Sequence, residues 1–344
     1  MNKCDIIDFE QLWESGIKCM KGVGWKPSVK SFELNQLERT LRIEERLNDG
    51  TWQNSKPKPV QIMYPKKREG MSIPFLDRVY QRSINDNELY PAMTRTFIYD
   101  NCACQTGEGP DFTINRLKTK LHNHVMKYGV EGYVLQTDIH GYYQHMRHEF
   151  VNSVFAKELD PDVLKMVIDV LDQQYSGDIG YNPGSQMVQI AGISALNELD
   201  HKCKEQMHME NYIRYMDDTI DINIDEGHLQ YCFNEIKNDL LVNGFTLNEK
   251  KSHITPLKDG FTFLGFDWKV TKSSKVILTL NSENIRHERR KLRRMVNKAK
   301  RGEITKDKCD ECLKAWEAHA GRGNSYNLIT RMRKYYKELW NNDN

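Results

Sequence analysis

The stretch YIRYMDDTIDINI, residues 212–224, places two adjacent carboxylates inside a run that otherwise has the composition of a β-strand. Aromatic and apolar residues precede Asp217 and Asp218, and three isoleucines alternate with polar residues after them. Adjacent like charges repel, and aspartate is disfavoured in strands. The pattern therefore predicts a β-hairpin whose turn carries the doublet. Because the residues on both sides favour burial, we expect these carboxylates to be held rigidly for their chemistry.

The composition limits the classes of protein to which this chain can belong. With 344 residues, of which 39% are hydrophobic and 28% charged, it can bury a sizeable core in two or three domains or in one lobed domain. No apolar stretch approaches the roughly 20 residues that span a membrane, and the first residues lack the apolar segment of a signal peptide. The eight cysteines show no disulfide-framework spacing, which suits a reducing compartment. We therefore expect a cytoplasmic protein without membrane contact.

A strongly basic segment, RHERRKLRRMVNKAKR, occupies residues 286–301. Nine of its sixteen residues are Lys or Arg, and only Glu288 is acidic. Apolar residues recur at helical spacing, which predicts a helix with one core-facing side and one cationic face. A solvated surface helix would give a similar pattern, but the lack of compensating acids favours contact with a nucleic-acid backbone. The candidate contacts are Arg289, Arg290, Arg293 and Arg294.

Helices and strands are predicted along the rest of the chain in an irregular order. Amphipathic periodicity predicts helices at 29–48, 77–97, 148–158, 162–174, 187–208 and 226–243. Apolar runs predict strands, besides the hairpin, at 132–139, 245–248, 252–257, 261–268 and 275–280. Because no regular βαβ repeat occurs, the expected fold class is α+β.

A third carboxylate, Asp138, ends the predicted strand GYVLQTDI. If the fold brings Asp138 beside the 217–218 doublet, the three carboxylates repel one another unless cations neutralise them. Oxygen ligands at strand ends favour Mg²⁺, and two such ions can activate a 3′-hydroxyl and stabilise a leaving pyrophosphate. We therefore predict a site for two Mg²⁺ ions, in which Mn²⁺ could substitute. The alternative is that Asp138 merely caps its strand while the doublet forms an ordinary turn.

Five segments resemble sequence blocks of reverse transcriptases, in the order that this family shows. RYMDD is similar to the YxDD box, and QTDIHGYYQHM resembles the first catalytic motif. GFTLNEKKSHI resembles the G-x-x-L-N-x-x-K-[ST] block, FTFLGFDW resembles the strand that grips the primer, and KKREGMSIPFLDRVYQ resembles the fingers segment ending in I-P-x-x-D-R-[IV]-x-Q. The similarity covers residues 29–268. YxDD alone is a weak signal, whereas five ordered blocks are specific.

The resemblance implies a right-hand polymerase with fingers, palm and thumb, in which an antiparallel palm sheet packs on helices. We expect N-terminal helices and fingers in residues 1–130, the palm in residues 131–270 and a basic helical thumb in residues 271–344. Residues 148–185 could form a further part of the fingers. The implied partners are template RNA, primer or cDNA, and dNTPs.

The same resemblance implies catalytic roles for single residues. Asp138 and Asp217 would hold the metal ions, with the Ile139 carbonyl and Asp218 assisting. Lys251 would protonate the pyrophosphate.

Other residues are implied to contact the incoming nucleotide. Tyr143 would lie under the sugar and exclude a 2′-hydroxyl by its bulk; core packing beside Tyr142 is the alternative. Three basic residues would meet the triphosphate: Lys66, Lys67 and Arg68. The fingers arginine of the family usually lies where this chain has Glu69, so the choice among these three stays open.

The segment PGSQMVQIAGIS resembles the G-x-x-x-S-Q form of bacterial diversity-generating retroelement enzymes, with Gln189 as its glutamine and Val188 in place of serine; Ser185-Gln186 offers a competing register. That form accompanies error-prone copying of template adenines. It implies a retroelement reverse transcriptase with a small basic accessory protein as a further partner. The alternatives are a phage-defence reverse transcriptase that makes repetitive or untemplated DNA and, more remotely, a non-catalytic nucleic-acid-binding scaffold.

Overall fold

The computed structural model describes residues 7–63, 68–182 and 184–341. Its helices are α1 (Phe9–Met20), α2 (Pro27–Leu34), α3 (Gln36–Asn48), α4 (Phe75–Ile84), α5 (Tyr90–Thr94), α6 (Pro110–Tyr128), α7 (Tyr142–His145), α8 (His148–Ala156), α9 (Pro161–Gln174), α10 (Gln186–Ser194), α11 (Asn197–His201), α12 (Glu226–Val242), α13 (Ser282–Lys300), α14 (Lys306–Ala320) and α15 (Tyr326–Asn341). Its strands are β1 (Lys58–Ile62), β2 (Arg68–Ser72), β3 (Tyr133–Thr137), β4 (Ile213–Tyr215), β5 (Asp218–Asn223), β6 (His253–Pro256), β7 (Phe261–Phe263), β8 (Phe266–Val270) and β9 (Val276–Leu280). The combination of helices and antiparallel sheets confirms the predicted α+β class. Within these residues, no helix has the length and apolar character needed to cross a membrane.

A four-stranded antiparallel sheet positions the segments that carry the acidic residues. Its strand order is β4-β5-β3-β6. Thr137 of β3 lies opposite Thr219 of β5, and Tyr215 of β4 lies opposite Asp218 of β5. The end of β3 and the start of β5 therefore lie side by side at the same end of the sheet. Asp138, which follows β3, consequently lies beside the β4–β5 turn.

Helices cover both faces of this sheet. Leu135 of β3 belongs to one hydrophobic cluster with Ile236 of α12, whereas Val134 belongs to a second cluster with Leu117 of α6. Two polar residues of β5 are buried as well, since Thr219 is 5% exposed and Asp221 is 1% exposed. Burial raises the pKa of Asp221 to about 7. The alternation of apolar and polar residues along β5 thus marks two buried faces, and not one buried and one solvated face.

A three-stranded antiparallel sheet, in the order β7-β8-β9, joins the central sheet to the C-terminal helices. Trp268 of β8 is fully buried, and its indole N–H donates to the Phe263 carbonyl (3.1 Å). Leu292 and Val296 of α13 are buried in the same cluster as Trp268. The apolar side of the basic segment is therefore its core-facing side, in agreement with its periodicity.

The N-terminal helices pack around the other cluster. α1 begins with a capping box, in which the Asp8 side chain accepts from the Gln11 amide (2.8 Å) and the Gln11 side chain accepts from the Asp8 amide (3.3 Å). Leu12, Phe32 and Val79, from α1, α2 and α4, are buried together. Among the described strands, β1 and β2 pair only with each other, as a hairpin.

Helices α8 and α9 belong to the cluster of the N-terminal helices, since Phe155 and Val167 are buried with Val79. The same cluster contains Leu135 of β3 and Ile236 of α12, so it does not separate residues 148–185 from the central sheet. The subdomain boundaries expected from the sequence remain predictions.

The predicted helices at 29–48 and 77–97 are both interrupted, and the sequence prediction is wrong in this respect. The first breaks at Asn35, whose side-chain amide donates to the Ser31 carbonyl (3.0 Å). Asparagine makes such local bonds in competition with helix continuation. The second contains a π-helical segment, Asn85–Leu89, between α4 and α5.

Two more predicted elements are also shorter or less regular than expected. The helix predicted at 187–208 is divided into α10 and α11 and ends in a π-helical turn, Lys202–Gln206. The strand predicted at 245–248 is reduced to a single bridge between Leu247 and Ile139, because the chain turns immediately afterwards.

A buried ion pair links the strand before the acidic doublet to the helices behind it. Arg214 of β4 is 0% exposed, and its guanidinium donates to both carboxylate oxygens of Asp200 in α11 at 2.6–2.9 Å. It also donates to the Ile193 carbonyl (2.8 Å) and the Met216 carbonyl (2.9 Å). The Tyr212 hydroxyl donates to Asp200 (2.8 Å). This bidentate, fully hydrogen-bonded arrangement is what two charges require when they are removed from water.

Asp200→Ala is expected to lower the free energy of unfolding by about 3–5 kcal/mol, because it leaves the Arg214 charge buried without its partner. The matched control is Arg214→Met/Asp200→Leu, which removes both charges and should cost much less. Urea unfolding followed by circular dichroism measures both variants. An Asp200→Ala protein as stable as wild type, or a double variant less stable than the single one, would contradict this role for the pair.

Candidate active site

The acidic doublet begins in a two-residue hairpin turn. Met216 and Asp217 connect β4 to β5, and Met216 has a φ of 58°. A positive φ at the first turn position is typical of a type II′ turn, where glycine is usual, so the Met216 backbone is strained. The Arg214 guanidinium holds the Met216 carbonyl (2.9 Å), and the Cys104 sulfur lies 3.4 Å from the Met216 sulfur. These contacts fix the turn that carries Asp217.

Asp138 is fixed through its backbone and its side chain. Its amide donates to the Ser252 hydroxyl (3.1 Å), and its carbonyl accepts from the Asn248 amide (2.7 Å). Its carboxylate accepts from the Lys251 ammonium at 2.5 Å. The turn formed by residues 248–252 therefore determines where the Asp138 carboxylate lies.

The carboxylates crowd one another. Asp138 lies within hydrogen-bonding reach of Asp218. Burial, followed by the charge of Asp217 and the contact with Asp138, raises the pKa of Asp218 to about 7. Burial and then the Asp138 charge raise the pKa of Asp217, while the hydrogen bond to Asp138 raises the pKa of the Lys251 ammonium. Full ionisation of this group therefore calls for a nearby cation.

The donor set suits a hard divalent cation. Asp138, Asp217 and Asp218 offer only oxygen donors. In the bridge between Ile139 and Leu247, the residues on either side make the hydrogen bonds, so the Ile139 carbonyl is not used in this pairing. No three His, Cys, Asp or Glu side chains in the described part of the chain form a ready-made metal site. Mg²⁺ commonly completes its shell with water and substrate phosphates, so these residues fit such an ion chemically. Their metal roles remain predictions.

Two cavities meet at these carboxylates. The larger, of about 910 Å³, is lined by Tyr143 and Gln189 among others, and the smaller, of about 490 Å³, by residues 260–264. Asp138 and Lys251 line both, and the two residues of the doublet line one cavity each. Groups that enter from the two sides would therefore meet beside Asp138.

Two adjacent tyrosines occupy different environments at this site. Tyr142 is buried, and its hydroxyl donates to the Gly192 carbonyl (2.6 Å). Tyr143 lines the larger cavity. A Cβ atom added to Gly192 would lie only 2.6 Å from the Tyr143 hydroxyl oxygen. Glycine at position 192 thus leaves room for the Tyr143 ring. Exclusion of a ribose by Tyr143 remains a prediction.

The other predicted nucleotide contacts are only partly described. Gln189 is exposed and lines the larger cavity. Lys66 and Lys67 lie outside the described residues, and Arg68 is the first residue of β2. Glu69 lines the larger cavity, so the structure brings an acid to this wall.

The four arginines of the basic segment lie on α13 and line neither cavity. All are exposed: Arg289, Arg290, Arg293 and Arg294. The Arg289 guanidinium stacks over the Tyr335 ring at 4.5 Å, and the Tyr335 hydroxyl donates to the Arg289 carbonyl (3.4 Å). Arg289 is therefore tied to α15, and nucleic-acid binding by this face remains a prediction.

Sequence reasoning missed the residues that support the carboxylates. Arg214 lies two residues before Met216 and the acidic doublet, but its partner Asp200 lies fourteen residues upstream of it. No spacing pattern links the two. Ser252 and Gly192 likewise act through contacts between segments that are distant in sequence.

Residues 65–268 match the family described as reverse transcriptase (RNA-dependent DNA polymerase). No curated protein matches the sequence at a significant level. Among solved structures, the chain is similar to apo telomerase from Candida tropicalis, with a TM-score of 0.49 and 13% sequence identity. That similarity covers 66% of this chain and 49% of the telomerase chain, so this chain spans about half the length of that protein. Because the family match extends over more than half of the sequence and includes all three carboxylates, this protein has a right-hand polymerase fold and belongs to the reverse transcriptase family.

Proposed function

We propose that this chain copies template RNA into cDNA by adding dNTPs to the 3′-hydroxyl of a primer. The observation that carries this proposal is the meeting of two cavities at Asp138. A primer end in the smaller cavity, beside residues 260–264, would face a dNTP in the larger cavity, beside Tyr143. The 3′-hydroxyl would then lose its proton to solvent water as its oxygen attacks the α-phosphorus, and the bond from that phosphorus to the departing pyrophosphate breaks.

The residues of the chain supply orientation and a proton for this reaction. Bound Mg²⁺ ions would neutralise the carboxylates and phosphates and lower the pKa of the 3′-hydroxyl. Lys251 stays protonated, because its bond to Asp138 raises its pKa, and it lines both cavities, so it can donate a proton to the pyrophosphate. The turn 248–252 holds Asp138, and Arg214 holds the turn of Asp217. Both are therefore in place before substrates arrive.

Asp138→Asn and Asp217→Asn are each expected to abolish dNTP incorporation on a primed RNA template, because an amide lacks the charge that metal ligation requires. RNA affinity should stay nearly unchanged. The matched control is Glu249→Gln, which removes an exposed carboxylate from the adjacent turn and should retain activity. Single-nucleotide extension measures incorporation, and fluorescence anisotropy measures RNA affinity. Substantial activity in either Asn variant would show that the metal assignment is wrong.

The favoured context is a diversity-generating retroelement, with a small basic accessory protein as a further partner. Gln189 supports it, because this side chain lies on the wall of the cavity in which the new base pair would form. Sequencing of cDNA made on a defined RNA separates the alternatives. Substitutions concentrated at template adenines favour the retroelement, whereas repetitive or untemplated products favour a phage-defence enzyme. RNA binding without any incorporation would indicate a non-catalytic scaffold.

Tyr143→Ala is expected to raise rNTP incorporation relative to dNTP by about tenfold or more, because the ring no longer occupies the space of a 2′-hydroxyl. A tenfold change corresponds to about 1.4 kcal/mol of barrier. Tyr142→Phe is the control, since it loses only the bond to the Gly192 carbonyl; it should cost about 1 kcal/mol of stability and leave the ratio unchanged. The ratio of kcat/KM values for the two nucleotides measures the effect. If the Tyr142 variant alone changed this ratio, Tyr142 and not Tyr143 would be the residue that excludes the 2′-hydroxyl.

Arg290→Gln/Arg293→Gln/Arg294→Gln is expected to weaken primer–template binding and to flatten its salt dependence. Each lost phosphate contact should lower the slope by about 0.9 on a duplex. Arg289 is left intact because its guanidinium packs on Tyr335, so its substitution would disturb the contact between α13 and α15. Binding titrations between about 50 and 200 mM salt measure the slope.

The matched control for the α13 variant is Lys308→Gln/Lys314→Gln/Lys334→Gln. It removes the same number of charges from exposed positions of α14 and α15, and it should change the slope much less. An arginine variant with the slope of wild type would mean that the basic face of α13 binds protein instead of nucleic acid.

A further inference from the structure

The short segment between α14 and α15, residues 321–325, is attached on one side to the three-stranded sheet. The Asn324 amide donates to the Leu278 carbonyl of β9 (2.7 Å), and the Leu278 amide donates to the side-chain oxygen of Asn324 (2.9 Å). Gly323 packs on the same strand, because a Cβ atom added there would lie 2.7 Å from the Leu278 carbonyl oxygen. The segment therefore has little freedom to shift along β9.

An ion pair attaches the other side of this segment to α6. The Arg322 guanidinium donates through Nε to Oδ1 of Asp111 (2.7 Å) and through Nη2 to Oδ2 of Asp111 (3.0 Å). Its Nη1 group donates to Nδ1 of His319 (3.2 Å), and the His319 ring packs against Phe266. All three guanidinium nitrogens are thus engaged, in the two-pronged geometry that arginine and not lysine provides.

Asp111 has a favourable place for this contact. It lies in the first turn of α6, where the aligned peptide dipoles of the helix favour a negative charge. The hydrogen bond from Arg322 lowers the pKa of the Asp111 carboxyl. The carboxylate therefore stays charged at neutral pH and keeps its partner.

The same ion pair lies close to the strand that leads into the acidic doublet. Ile114 of α6, three residues after Asp111, is buried with Ile213 of β4. Burial raises the pKa of the Tyr215 hydroxyl at the end of β4, and the nearby charge of Arg322 opposes this rise. Arg322 thus lies where the C-terminal helices meet the central sheet, beside the turn that carries Asp217.

The three C-terminal helices are also joined to one another. The Tyr335 hydroxyl of α15 donates to the Arg289 carbonyl of α13 (3.4 Å). Arg333 of α15 donates to both carboxylate oxygens of Glu317 in α14, at 2.7 Å each. A displacement of the segment 321–325 would therefore move the basic face of α13 as well.

We propose that Arg322 is a positioning residue that acts through Asp111. The pair holds α13–α15 against α6 and so keeps the basic face of α13 aligned with the three carboxylates between successive nucleotide additions. This role rests on the proposed function, because only a polymerase must keep a duplex bound while the primer end advances. Arg322 is 27% exposed and Asp111 is 68% exposed, and such pairs contribute little to stability. Loss of the pair should therefore release the duplex earlier without unfolding the protein.

The test measures how many nucleotides the enzyme adds before it releases a primed RNA template. Heparin, added together with the dNTPs, captures every enzyme molecule that dissociates, so product length reports a single binding event. Arg322→Gln and Asp111→Asn should each shorten the products, by up to about fivefold, the upper range for a partly exposed ion pair. The first addition to a bound primer should keep its rate, because neither residue lines an active-site cavity. The double variant should lose about as much as either single variant, since each already breaks the pair.

Asp111→Asn separates this role from direct binding of nucleic acid. If Arg322 contacted a phosphate of the duplex, only the loss of Arg322 would shorten the products, and the loss of the Asp111 charge would not. That outcome would overturn the proposal. Losses that add up in the double variant would overturn it as well, because the two residues would then act independently.

The matched control is Arg333→Gln, which breaks the two-pronged pair with Glu317 inside the C-terminal helices and leaves the contact with α6 intact. It should give products of wild-type length, and circular dichroism verifies that every variant folds. Equal shortening by Arg333→Gln would show that any loosening of these helices suffices, which refutes a specific role for Arg322. The proposed function is tested separately by the first addition. Active wild type whose Arg322 and Asp111 variants give products of unchanged length refutes only the role of this pair.

Discussion

Mutual repulsion among Asp138, Asp217 and Asp218 is the constraint on which the rest of this structure depends. Burial and the neighbouring charges raise the pKa of Asp218 to about 7. The folded protein therefore keeps a proton that the unfolded chain loses above a pH of about 4, and this group lowers stability as the pH rises from about 4 to about 7. A group of carboxylates that lowers the stability of the fold in this way is kept in place only where the surrounding structure holds it rigidly. The same crowding makes the site attractive to divalent cations.

That rigidity comes from segments distant in sequence. Arg214 pairs with Asp200 inside the core and holds the carbonyl of Met216, whose strained backbone shapes the turn. Ser252 and the rest of its turn hold the backbone of Asp138. The acidic turn is thus supported by the core of the protein, so a substitution at Asp200, which lines neither active-site cavity, can alter the geometry of the turn that carries Asp217.

Local patterns predicted much of this arrangement, and contacts between distant segments account for most of the rest. Asp138 at a strand end, the hairpin with its acidic turn and the amphipathic basic helix each follow from periodicity within one segment. The break at Asn35 depends on one side-chain hydrogen bond that competes with the helix. The Arg214–Asp200 pair depends on how α11 packs against β4, which the spacing of residues does not encode. The position of Glu69 at the cavity wall likewise depends on how β1 pairs with β2.

The β1–β2 hairpin forms part of the wall of the larger active-site cavity, through Gln61 and Glu69. Among the described strands, β1 and β2 pair only with each other, so packing against other segments must fix the position of the hairpin. The hairpin packs closely against the chain before α10, because a Cβ on Gly184 would come within 2.5 Å of the Met71 carbonyl. Gln189, on helix α10, lines the same cavity. Two walls of this cavity are therefore joined by a close contact between segments that are distant in sequence, and no pattern within either segment predicts that contact.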